Sequence, residues 1–147
     1  MTAATSNQRA WETMRDAIAL RVPARTSVTI GEPRLAVAWD MVAIVPEGGE
    51  VDAATLSAPR EIHRCTVRMY RNALQQPQDA IEFDLDQFRA DIQSDVFGDF
   101  TLGGNVAYAL PAEFRWVYEY HQMQNTLYRT VSLTVAYRID DNAAFAP

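Results

Sequence analysis

Apolar residues recur at helical spacing in two stretches and alternate with polar residues in several others. Trp11, Met14, Ile18 and Val22 share one helical face; Thr5-Ser6-Asn7-Gln8 ahead of them has the form of a capping box, and Pro23 ends the run. That predicts an amphipathic first helix. Ile81, Leu85, Phe88, Ile92 and Val96 predict a second, with Asp79-Ala80-Ile81-Glu82 as its cap and Gly98 at its C-terminal position. Residues 26–31 read as a short strand. After Pro33, Leu35, Val37, Trp39 and Met41 alternate with polar or small residues, and 42–45 is apolar on both faces, as in a buried strand. Residues 61–73 set Cys65, Val67 and Met69 against Arg64, Thr66, Arg68 and Tyr70, a half-buried strand with an arginine-bearing outer face. Further on, 106–121 sets Phe114, Trp116, Tyr118 and Tyr120 against Glu113, Arg115, Val117 and Glu119. A last strand alternates Val131, Leu133, Val135, Tyr137 and Ile139 with Thr130, Ser132 and Thr134. Gln122-Met123-Gln124-Asn125 is the hairpin connection between them. The polar, glycine-bearing stretch 46–54 reads as an extended loop and 140–147 as a tail. The order helix-strand-strand-helix-strand-strand predicts a single α+β domain over 1–147, a mainly antiparallel sheet with helices packed on one face.

Composition narrows the class. A chain of 147 residues with 48% apolar and 22% charged content carries one ordinary core and is not a disordered tract. Its one cysteine, Cys65, forms no disulfide within the chain and no multi-thiolate metal cage. The first eleven residues lack a basic segment followed by an apolar one, and no apolar run approaches the roughly 20 residues of a membrane span. The expectation is a chain folded in cytosol with no membrane partner. All thirteen basic residues are arginine, the side chain best suited to bidentate pairing with carboxylates.

Candidate chemistry is sparse. Cys65 with His63 or His121 could form a nucleophile and base, since His63 and Cys65 share a strand face. A buried structural cysteine is the commoner outcome, and His63, Cys65 and His121 lack the paired spacing of zinc sites. Glu82-Phe83-Asp84-Leu85-Asp86 has no bend glycine and puts Phe88 where a calcium loop needs oxygen. Gly48-Gly49 and Gly103-Gly104 lack the flanks of a phosphate loop and read as turns. Overall acidity disfavours a nucleic-acid surface, and Phe114, Trp116, Tyr118 and Tyr120 are expected under a helix rather than as a stacking platform. No catalytic residue, metal or cofactor is assigned.

Two surfaces look made for other subunits. On the second helix, Phe83, Ala90 and Phe97 form an apolar stripe opposite the first, to be covered by the 46–54 loop, by the tail, or by a neighbouring copy. Between 79 and 95, six acids, Asp84 and Asp86 among them, stand against Arg89 alone, a net of −5 out of the chain's −6. The 61–73 strand carries Arg64 and Arg68, with Arg60 and Arg71 nearby. The expectation is that the acidic helix of one subunit meets the arginine strand of the next, a head-to-tail contact that closes a ring. Two solvated surfaces of opposite sign, or an acidic helix lining a channel where it would keep passing DNA from sticking, are the alternatives.

Asp99-Phe100-Thr101-Leu102-Gly103-Gly104-Asn105-Val106, a turn between a helix end and a long strand, together with the closing strand at 127–135, resembles the tail terminator family of long-tailed bacteriophages. The resemblance covers most of the chain in element order but only this turn in sequence. It implies a structural virion protein at the head–tail junction, assembled in the host cytoplasm. There it forms a hexameric ring that ends the tail tube and presents a surface to the neck connector, with DNA passing through its lumen. No catalysis or cofactor belongs to that role. Tail tube and neck-completion proteins share the fold, so a tube or neck component is the first alternative. A small-ligand-binding or enzymatic α+β domain is the second.

Overall fold

The computed structural model describes residues 5–23, 26–34, 40–52, 60–74, 76–98, 102–104, 106 and 108–139. The first helix, α1 (Ser6–Ala19), opens on a full capping box: the Gln8 N–H donates to Thr5 Oγ1 at 3.1 Å, and the Thr5 N–H donates to Gln8 Oε1 at 3.0 Å. Ala10, Met14 and Ile18 form its buried stripe, and each of the two large side chains contributes about 2 kcal/mol by leaving water. Val22 joins the same core after the helix has ended.

Among the described residues six strands form one sheet: β1 (Ser27–Ile30), β2 (Met41–Asp52), β3 (Arg60–Asn72), β4 (Tyr108–Ala109), β5 (Arg115–Met123) and β6 (Thr126–Ile139). The order is β1-β2-β3-β6; β5 lines the first part of β6's far side and β4 a short stretch near its end. β1 runs parallel to β2 and every other pairing is antiparallel. Register sorts the residues by face. Val42, Ile44, Cys65, Val67, Met69, Val131, Leu133 and Val135 point to one side, where α1 and the second helix, α2 (Gln78–Asp95), close the main core over them. Met41, Ala43, Tyr70 and Tyr128 form a smaller cluster on the other side, with Tyr70 and Tyr128 edge to face at 5.7 Å. The α+β class and the largely antiparallel sheet are as the periodicity predicts.

The element order is not: among the described residues three strands precede α2 and three follow it. Residues 46–52 are not a loop but the distal half of β2, paired with β3 as far as Asp52 with Arg60. A bulge between Pro46 and Gly48 leaves Glu47 unpaired, Gly48 sits at φ 94°, and a methyl group on Gly49 would run into the Ile62 carbonyl oxygen. Paired on one side and wet elsewhere, this segment keeps a loop's composition. The expected cap of α2 is also absent. Pro77 holds the N-cap position with no side-chain bond, and Asp79 lies in the first turn, where the helix dipole favours it. Positive φ comes not at Gly98 but at Leu102 (47°), Gly103 (70°) and Gly104 (84°), a left-handed run that places Leu102 in the core. The aromatic strand is interrupted by a 3-10 turn at Pro111–Glu113, and the β5–β6 connection is only Gln124-Asn125, with Gln124 at φ 53°. The alternating stretch 35–39 and the tail 140–147 lie outside the described residues.

Candidate functional site

The residues singled out for subunit contact do not form one surface. Phe83 stands outward from α2 with 72% of its area exposed, as its helical phase requires. Ala90 lies half-buried in a shallow depression with Arg89, Gln93 and Ser94. Phe97 is only 2% exposed and packs on Phe114, ring centroids 5.5 Å apart, so it is covered from within its own chain. The helix ends at Asp95, and the Phe97 N–H reaches back to the Ile92 carbonyl at 3.3 Å. That wider last turn swings the ring inward, and extrapolating 100° per residue past the helix end gives the wrong face.

The ionic half of the expected contact is also taken up internally. Arg64 and Arg68 do share the sheet face away from the helices. Arg64 pairs with Glu50 (3.2 Å) and Glu113 (3.7 Å); Arg68 pairs with Glu32 and donates from Nε to Ser132 Oγ at 2.8 Å. Glu32 also accepts from the Tyr70 hydroxyl at 2.5 Å. Burial pushes that phenol up to about 12 against the pull of Arg68. Asp84 accepts from Arg71 at 3.0 Å, and Asp86 from Arg89 and the Tyr118 hydroxyl, each at 2.9 Å. The bonds from Arg89 and Tyr118 hold the Asp86 carboxyl below its usual range.

Four of α2's six acids are thus met by arginines of the same chain. Arg21 and Arg71 serve Asp95 and Asp84 on one flank; Arg89 and Arg129 serve Asp86 and Glu82 on the other. The second flank is braced by aromatic stacking. Arg89 lies 4.3 Å from the Trp116 ring centre, and Arg129 lies 4.6 Å from Tyr120 and 5.7 Å from Tyr118. Trp116 and Tyr120 nevertheless remain exposed, so α2 does not cover the aromatic strand as expected; only Phe114 is buried and Tyr118 half-buried.

Arg71 is the residue that residue-type reasoning missed. It shares parity with Cys65, Val67 and Met69 and so faces α2, where it bridges Asp84 and the buried Asp40 (2.5 Å). A cation at a core-facing strand position was the signal available in the sequence.

His63 and Cys65 do share a face but not a reaction centre. Cys65 is fully buried with its thiol 3.8 Å from the Met14 sulfur, and burial pushes it up to about 12, the wrong direction for a nucleophile. His63 bonds to Glu61 at 2.9 Å and stacks on Tyr137, centroids 5.8 Å apart, beside an open groove along Gly48–Val51. His121 is on the opposite face, edge-on to Tyr70 at 5.6 Å. Among the described residues no three His, Cys, Asp or Glu side chains converge as a metal site, and no helix is long and apolar enough to cross a membrane. No family model and no curated protein matches the chain.

Proposed function

We propose that the protein is a structural virion component that assembles with copies of itself into a ring. By the likeness of 99–106 to tail terminators, the ring is hexameric, ends the tail tube and joins it to the neck below the head. The observation that carries this reading is that some of the exposed large apolar side chains stand on two separate outer surfaces. Phe83 projects from the outer side of α2, and Ile30 and Val51 lie on the β1–β2 side of the sheet. These are outward surfaces rather than the lining of an enclosed cavity, which suits contact with other proteins. A contact that joins the Phe83 side of one copy to the β1–β2 side of the next uses two different patches and, repeated by rotation, closes a ring. One ring face then matches the last ring of the tube protein and the other does not repeat it, so addition stops and the neck connector docks. DNA passes through the lumen without specific binding.

Sedimentation of the purified chain and low-resolution imaging of particles test this. A closed hexamer, and density for the chain at the head–tail junction, are expected, and Phe83→Asp should shift the hexamer toward smaller species while leaving the fold intact. Open-ended filaments would assign the chain to the tube instead. A strict monomer at every concentration, absent from particles, would end the reading.

A further inference from the structure

β5 is a nine-residue strand with β6 on one side and no described strand on the other. Its pairing to β6 runs without a bulge from Arg115 to Met123, and it contains no proline; the charges it carries are Arg115 and Glu119. The tight turn fixes which backbone groups face out. Met123 and Thr126 flank the two-residue connection and form its hydrogen-bonded pair. Counting back, odd-numbered residues of β5 bond to β6, while Trp116, Tyr118 and Tyr120 aim their N–H and C=O groups away from it.

Arg115, Val117 and Glu119 share the sheet face away from α2. Val117 is exposed. Among the described residues the Arg115 guanidinium donates only to the backbone carbonyls of Ala112 (3.1 Å) and Phe114 (2.8 Å), and the Glu119 carboxylate has no partner. Two opposite charges four residues apart, neither in an ion pair, are complementary to the same strand turned around. With a two-fold axis at Val117, Arg115 faces Glu119 of the second copy and Glu119 faces its Arg115. The outward groups of Trp116 and Tyr118 then bond across, and Val117 meets its own counterpart. An axis at Tyr118 would set Arg115 against His121, and one at Glu119 would oppose two carboxylates.

We propose that β5 is a self-pairing edge that joins two copies of this chain antiparallel about Val117. The contact is isologous and closes at two copies, so it is separate from the head-to-tail contact of a ring and does not depend on it. Val117 and its counterpart form a non-hydrogen-bonded pair with Cα atoms about 4.5 Å apart, within the range a disulfide spans. Mild oxidation of the full chain carrying Val117→Cys should therefore give a covalent dimer. Glu119→Cys, which faces Arg115, should not, and buried Cys65 does not compete. Glu119→Arg should weaken the uncrosslinked dimer about tenfold, and Arg115→Glu combined with Glu119→Arg should restore it. Far-UV circular dichroism confirms that each variant folds. Folded variants that stay monomeric and uncrosslinked overturn the proposal. A hexamer in which Val117→Cys does not crosslink overturns it while leaving the ring standing; a crosslinked dimer absent from virions supports it and counts against the ring.

Discussion

Replacing Arg71 by methionine asks which ion pair under α2 holds the fold. Arg71 bridges two carboxylates that differ in burial: its own side chain keeps 17% exposure, Asp40 keeps 10% and Asp84 keeps 47%. Water screens the Asp84 arm, which is worth less than about 1 kcal/mol. The Asp40 arm lies in a low-dielectric site, and removing one partner of such a pair costs about 3–5 kcal/mol because the other charge stays behind. Two features favour the lower end. Asp40 has a further interaction, and the wild-type Arg71 Nε is itself buried without an acceptor, a penalty of roughly 1 kcal/mol that methionine removes. The expected loss for Arg71→Met is therefore about 3 kcal/mol, against under about 1 for Asp84→Asn. Arg71→Met with Asp40→Leu should recover much of it, since two apolar groups replace the buried pair. Urea unfolding at one fixed protein concentration measures all three; the arginine variant's melting point should fall by roughly 6–12 °C in a chain of this size. If Arg71→Met costs no more than Asp84→Asn, or the double variant no less than the single, the Asp40 pair does not anchor β3 to the segment before β2.

Gly49→Ala drives a methyl group into the Ile62 carbonyl and should cost roughly 2 kcal/mol, with faster amide exchange confined to 46–52 and its β3 partners; unchanged exchange there would refute the close approach. Alkaline pH should unfold the protein. Cys65 and Tyr70 are both held neutral in the fold, pushed up to about 12 from ordinary values of 9.0 and 10.0, and burial raises Tyr137 as well. Because folding raises these pKa values, the stability they carry is complete below pH 9 and is lost as pH climbs toward 12. Absorbance at 295 nm should show Tyr70 and Tyr137 ionising only with unfolding. Six tyrosines ionising together near pH 10, with the fold intact, would contradict this.

What the sequence made legible was whatever local order specifies. The capping box before α1 and the apolar phase of α2 are contained within a few residues each, and both helices form there, although α1 ends at Ala19, short of the predicted Val22. β3 and β6 alternate cleanly because each has one face on the helices. The distal half of β2 was not legible, because its strand character comes from β3, a partner that begins only at Arg60, and from glycines that also suit a turn. Phe97 was misplaced by one assumption, that the helix continues for two more residues. The same limit split the candidate site. Phe83 could be placed from helical phase alone, whereas the partners of Asp84, Asp86, Arg64 and Arg68 depend on where distant strands cross α2 and each other.

The internal pairing of the arginines changes what any contact between copies can be made of. Unpaired acidic and basic surfaces would attract one another across an interface and weaken steeply in salt. Here Asp84, Asp86, Glu82 and Asp95 are already neutralised at 2.6–3.3 Å, and Arg64 and Arg68 are engaged on the opposite face of the sheet. Recruiting them to a second copy would first break these bonds, and exchanging one ion pair for another gains little. The surfaces that gain by association are those that no described residue covers: the Phe83 ring, the apolar side chains along the β1–β2 side, and the β5 edge with its outward amides and with Arg115 and Glu119, which form no ion pair among the described residues. Association of this chain should consequently tolerate salt at the apolar contact and respond to it at β5, and the two contacts can be told apart by that difference alone.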